Sequence, residues 1–85
     1  MNWNLVVTGP ARKQLQKLPA RDRDRVKQVL LAMQDDPFGG DLKRLIAQPA
    51  AWRRRVGNHR TLFDIDYAER LVAVHAVVRR TSTTY

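Results

Sequence analysis

The sequence predicts an α+β fold on three observations. A short β-branched run bounded by Gly-Pro comes first, two apolar stripes of helical period follow, and the second half holds strand-like runs separated by turn residues. Asn4-Leu5-Val6-Val7-Thr8 is the first strand, and Gly9-Pro10 ends it in a turn. Pro10 suits the first turn of a helix. Ala11, Leu15 and Leu18 then fall at i, i+4 and i+7, a single stripe that stops before Pro19. A second helix is expected over Ala20 to Gln34, with Val26, Val29, Leu30 and Met33 as its stripe. Two helices joined at a proline form a hairpin whose apolar faces need a sheet to lie on. Asp35-Asp36-Pro37-Phe38-Gly39-Gly40 is a turn-rich linker, and Lys43-Arg44-Leu45-Ile46 is a short segment whose form the pattern leaves open. Three strands then follow as an antiparallel meander, at about 52–56, 60–66 and 70–79, with Gly57-Asn58 and Tyr67-Ala68-Glu69 between them. Leu71 to Val78 is nearly continuous aliphatic, so this strand is expected to be central and buried on both faces.

Eighty-five residues make one small domain, 1–85. A chain of this size buries only about 60 to 65% of its unfolded surface, so its core is modest. Cysteine is absent, which excludes disulfides and thiolate metal sites and fits a reducing cytoplasm. No apolar stretch approaches the roughly 18 to 20 residues needed to span a bilayer. Met1-Asn2-Trp3-Asn4 lacks the basic-then-apolar layout of a signal peptide. The expected location is therefore the cytoplasm, away from membrane. No internal repeat, Walker pattern or dinucleotide pattern occurs, and Gly39-Gly40 is a turn rather than a phosphate loop. No cofactor is expected.

Charge is the compositional outlier. Sixteen basic residues face eight acidic ones, a formal net charge of +8, and twelve of the sixteen are arginine. Such a surplus implies nucleic acid, an anionic membrane or an acidic protein as partner. Its placement narrows the choice, because Leu42 to Phe63 holds six Lys or Arg and no acid. Trp52-Arg53-Arg54-Arg55-Val56-Gly57-Asn58-His59-Arg60 alone packs four arginines into nine residues. As a strand, a glycine turn and the start of the next strand, it gathers cations on one patch. Arg53 and Arg55 project from one face about 6.7 Å apart, and Arg60 returns to their level on the facing strand. Arginine is planar, always charged and matched to phosphate. Lys43 and Arg44 extend the patch. Alternation puts Arg54 with Trp52 and Val56 on the apolar face. There it either snorkels, pairs with Asp36 or Asp41, or is turned outward by a local bulge. His59 is the titratable group nearest the patch, with turn packing as its plain alternative. His75, between Val74 and Ala76, reads as a satisfied structural histidine. A soluble, solvated basic surface remains the plain reading of the whole patch, weakened by the missing acids.

Taken in order, these features resemble the RelE/ParE superfamily of bacterial toxins from toxin–antitoxin pairs. They are the first strand, Lys13 with Leu15-Gln16-Lys17-Leu18-Pro19, Asp36-Pro37 after the second helix, Lys43-Arg44-Leu45, the aromatic-Arg-x-Arg-Val-Gly-x-x-Arg block at 52–60, and the arginine-rich end closing with Tyr85. The resemblance implies one small curved sheet with a helical hairpin on one face. It implies a cognate antitoxin protein as partner, with DNA reached only indirectly through that antitoxin. RelE-like members resemble ribonucleases that cut messenger RNA in the ribosomal A site, and ParE-like members resemble DNA gyrase poisons. Arg53, Arg55 and Arg60 fall where the ribonuclease members carry Lys or Arg. Arg79, or its neighbour Arg80, falls near the family's C-terminal arginine, and Tyr85 falls on its tyrosine. The ribonuclease branch, with ribosome and mRNA as partners, is therefore favoured. Gyrase poisoning without nuclease activity and a non-catalytic or degenerate nucleic-acid-binding or co-repressor module are the alternatives.

The implied reaction needs no metal: a 2′-hydroxyl attacks its own 3′ phosphate and expels a 5′-hydroxyl. On this reading Arg60 and Arg79 contact the scissile phosphate, Arg55 stabilises the attacking oxygen, and Arg53 holds the neighbouring backbone. Tyr85 stacks on a base or exchanges a proton. Lys43, Arg44, Arg54, His59 and Arg80 bind RNA around them. Arginine is a poor general base, which leaves His59 as the candidate within the block.

Overall fold

The computed structural model describes residues 2–45 and 50–79. Strand β1 is Asn4–Val7, helix α1 is Gly9–Gln16 and helix α2 is Ala20–Ala32. Four strands follow: β2 (Asp41–Arg44), β3 (Trp52–Val56), β4 (His59–Asp66) and β5 (Leu71–Arg79). Thr8 supplies the N-cap of α1, its hydroxyl accepting the Ala11 N–H at 3.4 Å, with Pro10 in the first turn. Pro19 sits at the junction and α2 starts directly after it. The second helix is thus two residues shorter than its periodicity predicts, ending at Ala32 rather than Gln34.

All five strands form one open sheet in the order β1-β5-β4-β3-β2. β1 runs parallel to β5, and every other neighbouring pair is antiparallel. Both helices lie on one face. Ala11 and Leu15 of α1 and Val26, Leu30 and Met33 around α2 meet Val56, Phe63, Val72, Val74 and Val77 of the sheet in a single core. Phe63 and Met33 are wholly enclosed, and burying a side chain of this kind contributes roughly 1.5–3 kcal/mol. Both predicted helical stripes are in this core, with Leu18 and Val29 packed at its margin.

The sheet departs from the sequence-based expectation in two places. The segment of open form, Lys43 onward, is the edge strand β2, paired with β3 through Asp41↔Arg55, Leu42↔Arg54, Lys43↔Arg53 and Arg44↔Trp52. Four residues are too few to display a period, so only the pairing with β3 reveals the strand. The predicted three-strand meander is thus a four-strand one. The aliphatic strand β5 is flanked by β1 and β4 as an interior strand should be, but β4 holds the middle of the sheet. Only one face of β5 is fully buried: Val72, Val74 and Val77 face the helices, while Leu71, Ala73 and Ala76 are partly exposed.

Candidate nucleic-acid interface

Directly opposed residues of a sheet share a face, so the register sorts the cations without ambiguity. On the face turned away from the helices two rows cross the sheet. One runs Lys43, Arg53, Leu62, Ala76; the next runs Asp41, Arg55, Arg60, Val78. Lys43, Arg53, Arg55 and Arg60 therefore share one surface, here called the far face. On the helix face the rows are Arg44, Trp52, Phe63, Val74, then Leu42, Arg54, Thr61, Val77, then Val56, His59, Arg79. The ten residues singled out from sequence thus divide into four on the far face, four on the helix face, and Arg80 and Tyr85 outside the described residues.

The hairpin between β3 and β4 brings the far-face arginines together. Gly57 takes φ +59° as the first central residue of the two-residue turn, a backbone that ordinary side chains resist. That tight turn places Arg55 directly opposite Arg60, with their Cβ atoms about 5 Å apart. Arg55 is exposed, Arg60 is half-buried, and Arg53 is buried with 7% of its surface accessible. Arg53 Nη1 lies 3.8 Å from Asp41 Oδ1, and that carboxylate is 60% exposed. An ion pair so long and so wet is worth little. It nonetheless places one acid beside a block of sequence that contains none, because β2 carries Asp41 to the edge of the cationic rows.

Two expectations change on the helix face. His59 is buried, 5% exposed, against Val56 and Arg79, and so lies on the opposite side of the sheet from Arg55 and Arg60. A two-residue turn makes His59 the first residue of the strand, and alternation then sends it inward. Arg79 pairs with His59 and shares its face, so the described backbone separates Arg79 from the two arginines it was expected to join. The bulge in β5 sets that parity. Arg54 keeps its apolar-face position and is not turned outward. Its guanidinium lies over Gly40, where an added Cβ would meet Arg54 Nε at 2.5 Å, and Gly40 has φ +77°. Arg44 rests its guanidinium 5.7 Å from the Trp52 ring centroid, a cation–π contact at the sheet edge.

The far face also carries a pair that sequence reading did not bring together. Asp64 Oδ1 accepts the Ala51 N–H at 2.7 Å, and Asp64 Oδ2 lies 2.8 Å from His75 Nε2. The two side chains are 42% and 40% exposed. A β-bulge is responsible: Leu62 pairs with Ala76 and Phe63 with Val74, so His75 is the extra residue. Nothing in the aliphatic run marks the bulge in advance. Among the described residues, no group of three or more His, Cys, Asp or Glu is placed to hold a metal.

No protein-family model matches the chain, and no curated protein matches it. Solved structures do. A chain of the archaeal RelE–RelB complex from Pyrococcus horikoshii superposes with a TM-score of 0.86 at 17% identity, covering 98% of this chain and all of that one. A chain of the toxin–antitoxin complex RelBE2 from Mycobacterium tuberculosis gives 0.80 at 26% identity, covering 94% and 100%. The YoeB/ParE toxin from Agrobacterium tumefaciens gives 0.73 at 20% identity, covering 92% and 99%. The class these define is the α+β fold of toxin–antitoxin toxins, five strands with two helices on one face. In fold, this chain is similar to the toxins of the RelE/ParE type found in these structures.

Proposed function

We propose that this chain is the toxin of a toxin–antitoxin pair and acts as a ribosome-dependent mRNA endonuclease that inhibits translation. The observation that carries the reading is the far-face cluster, with Arg55 and Arg60 directly opposed and Arg53 and Lys43 in the adjoining row. Like charges held opposite one another cost stability, and a polyanion offsets that cost. In the reaction the 2′-oxygen of a nucleotide attacks the adjoining phosphorus and the bond to the 5′-oxygen breaks, leaving a cyclic phosphate and a free 5′-hydroxyl. Charge grows on the non-bridging oxygens as this happens. Arg55 and Arg60 are preorganised donors for that charge, and one such donor is worth roughly 2.7–4 kcal/mol of barrier. Buried Arg53 holds the neighbouring strand of RNA in register with them.

RelE is complexed with RelB in the P. horikoshii structure that this chain resembles. A cognate antitoxin with an acidic segment is the corresponding partner here, since a carboxylate-rich peptide matches the same arginines that phosphate does. Among the described residues no helix is long and apolar enough to cross a membrane, and the assigned place of action is the cytoplasmic ribosome. The test is primer extension on translated mRNA after induction of the chain. New 5′ ends inside codons support the reading. Inhibited supercoiling with intact mRNA would transfer the chain to a gyrase-directed class.

A further inference from the structure

Resting on the nuclease reading above, we propose that His75 is the general base of the reaction and that Asp64 is its positioning residue. The His59 expected for that task from sequence lies on the wrong face of the sheet. His75 and Asp64 lie on the same face as Arg53, Arg55 and Arg60. Leu62 is the pivot. It pairs with Arg53 on one side and with Ala76, the neighbour of His75, on the other.

The imidazole is held as a catalytic imidazole needs to be. Asp64 Oδ2 engages Nε2 at 2.8 Å, which fixes the ring and, with Nε2–H as donor, the tautomer. Among the described residues Nδ1 has no hydrogen-bond partner, and the side chain is 40% exposed. Asp64 is itself anchored by the Ala51 N–H at 2.7 Å. The backbone of the bulge is tied from the helix side. Thr8 Oγ1 donates to the His75 carbonyl at 3.4 Å, and the Val77 N–H donates to Gln14 Oε1 at 2.8 Å. A bulge beside a site re-aims a side chain, and this one puts His75 on the far face, where Asp64 meets it. An ion-paired surface histidine would need neither the bulge nor the two bonds that hold it.

In the step, His75 Nδ1 takes the proton from the 2′-hydroxyl as its oxygen bonds to phosphorus. The electron pair of the breaking P–O bond leaves with the 5′-oxygen, which is protonated by water, and the imidazolium returns its proton to solvent. The charged groups on this face are Asp64, Asp66 and Arg60 from β4, Asp41 and Lys43 from β2 and Arg53 and Arg55 from β3; β1 presents only Asn4 and Val6.

The experiment is single-turnover cleavage of mRNA on programmed ribosomes by the full chain, between about pH 5.5 and 8.5. His75→Gln is expected to lose on the order of 10²–10⁴-fold in rate and to lose the rise in rate with pH that wild type shows. Asp64→Asn, whose amide oxygen still accepts the Ala51 N–H, is expected to lose less and to displace that rise. His75→Ala is expected to regain rate with added imidazole, which a merely structural role would not allow. Wild-type cleavage with a His75→Gln rate within threefold and an unchanged pH profile overturns the proposal and leaves the nuclease reading standing. So does a His75→Ala variant that melts like wild type yet is not rescued by imidazole. No cleavage by wild type overturns the nuclease reading and this proposal with it.

Discussion

Arg55 and Arg60 face each other across β3 and β4, one register step from the turn at Gly57-Asn58. Like charges at directly opposed positions destabilise a sheet by about 0.2–1 kcal/mol. Arg55→Gln is accordingly expected to raise the melting temperature by up to a few degrees, since about 1 kcal/mol moves a domain of this size by 4–8 °C. The same variant is expected to lose about 10²–10³-fold in cleavage rate. Thermal melts and single-turnover rates on one preparation check both. A variant that loses stability would show that Arg55 serves the fold.

Arg79 shares the face of His59, not that of Arg60. Arg79→Gln is therefore expected to leave the chemical step within a few-fold of wild type, while Arg60→Gln does not. Parallel rate measurements on the two variants decide the matter. A loss at Arg79 as deep as that at Arg60 would contradict the assignment of faces.

Gly40 combines φ +77° with the Arg54 guanidinium stacked where a Cβ would stand. Gly40→Ala is expected to cost about 1–3 kcal/mol. Adding Arg54→Ala to it should recover the steric part of that loss and leave the backbone part. Urea unfolding of the single and double variants separates the two.

Gln14 Oε1 accepts the Val77 N–H at the bulge. Gln14→Ala removes that acceptor, with an expected cost of about 1–3 kcal/mol if the N–H stays dry. Amide exchange at Val77 should quicken well beyond that of its strand neighbours. Unchanged exchange there would mean that the bulge holds itself.

The sequence carried the parts of this molecule that depend on period. Val26, Val29, Leu30 and Met33 announced a buried stripe, and all four pack in or against the core. Arg53 and Arg55 were readable as one face because a strand alternates without exception between bulges. What could not be read depends on residues far apart in the chain. β2 has too few residues to show alternation and is a strand only because β3 lies beside it. The extra residue at His75 lies within an unbroken aliphatic run, so the face of every residue after it, Arg79 included, was shifted by one. Asp64 and His75, eleven residues apart, meet only because that bulge brings them together.

If the arginines of the far face cut RNA, removing one of them must suppress cleavage. The most direct measurement maps mRNA 5′ ends on ribosomes translating a defined message, with wild type and Arg60→Ala compared at equal protein concentration. Breaks within A-site codons are expected for wild type, and at least a hundredfold fewer for Arg60→Ala at unchanged melting temperature. Equal cleavage by the two proteins would contradict that role for the arginines.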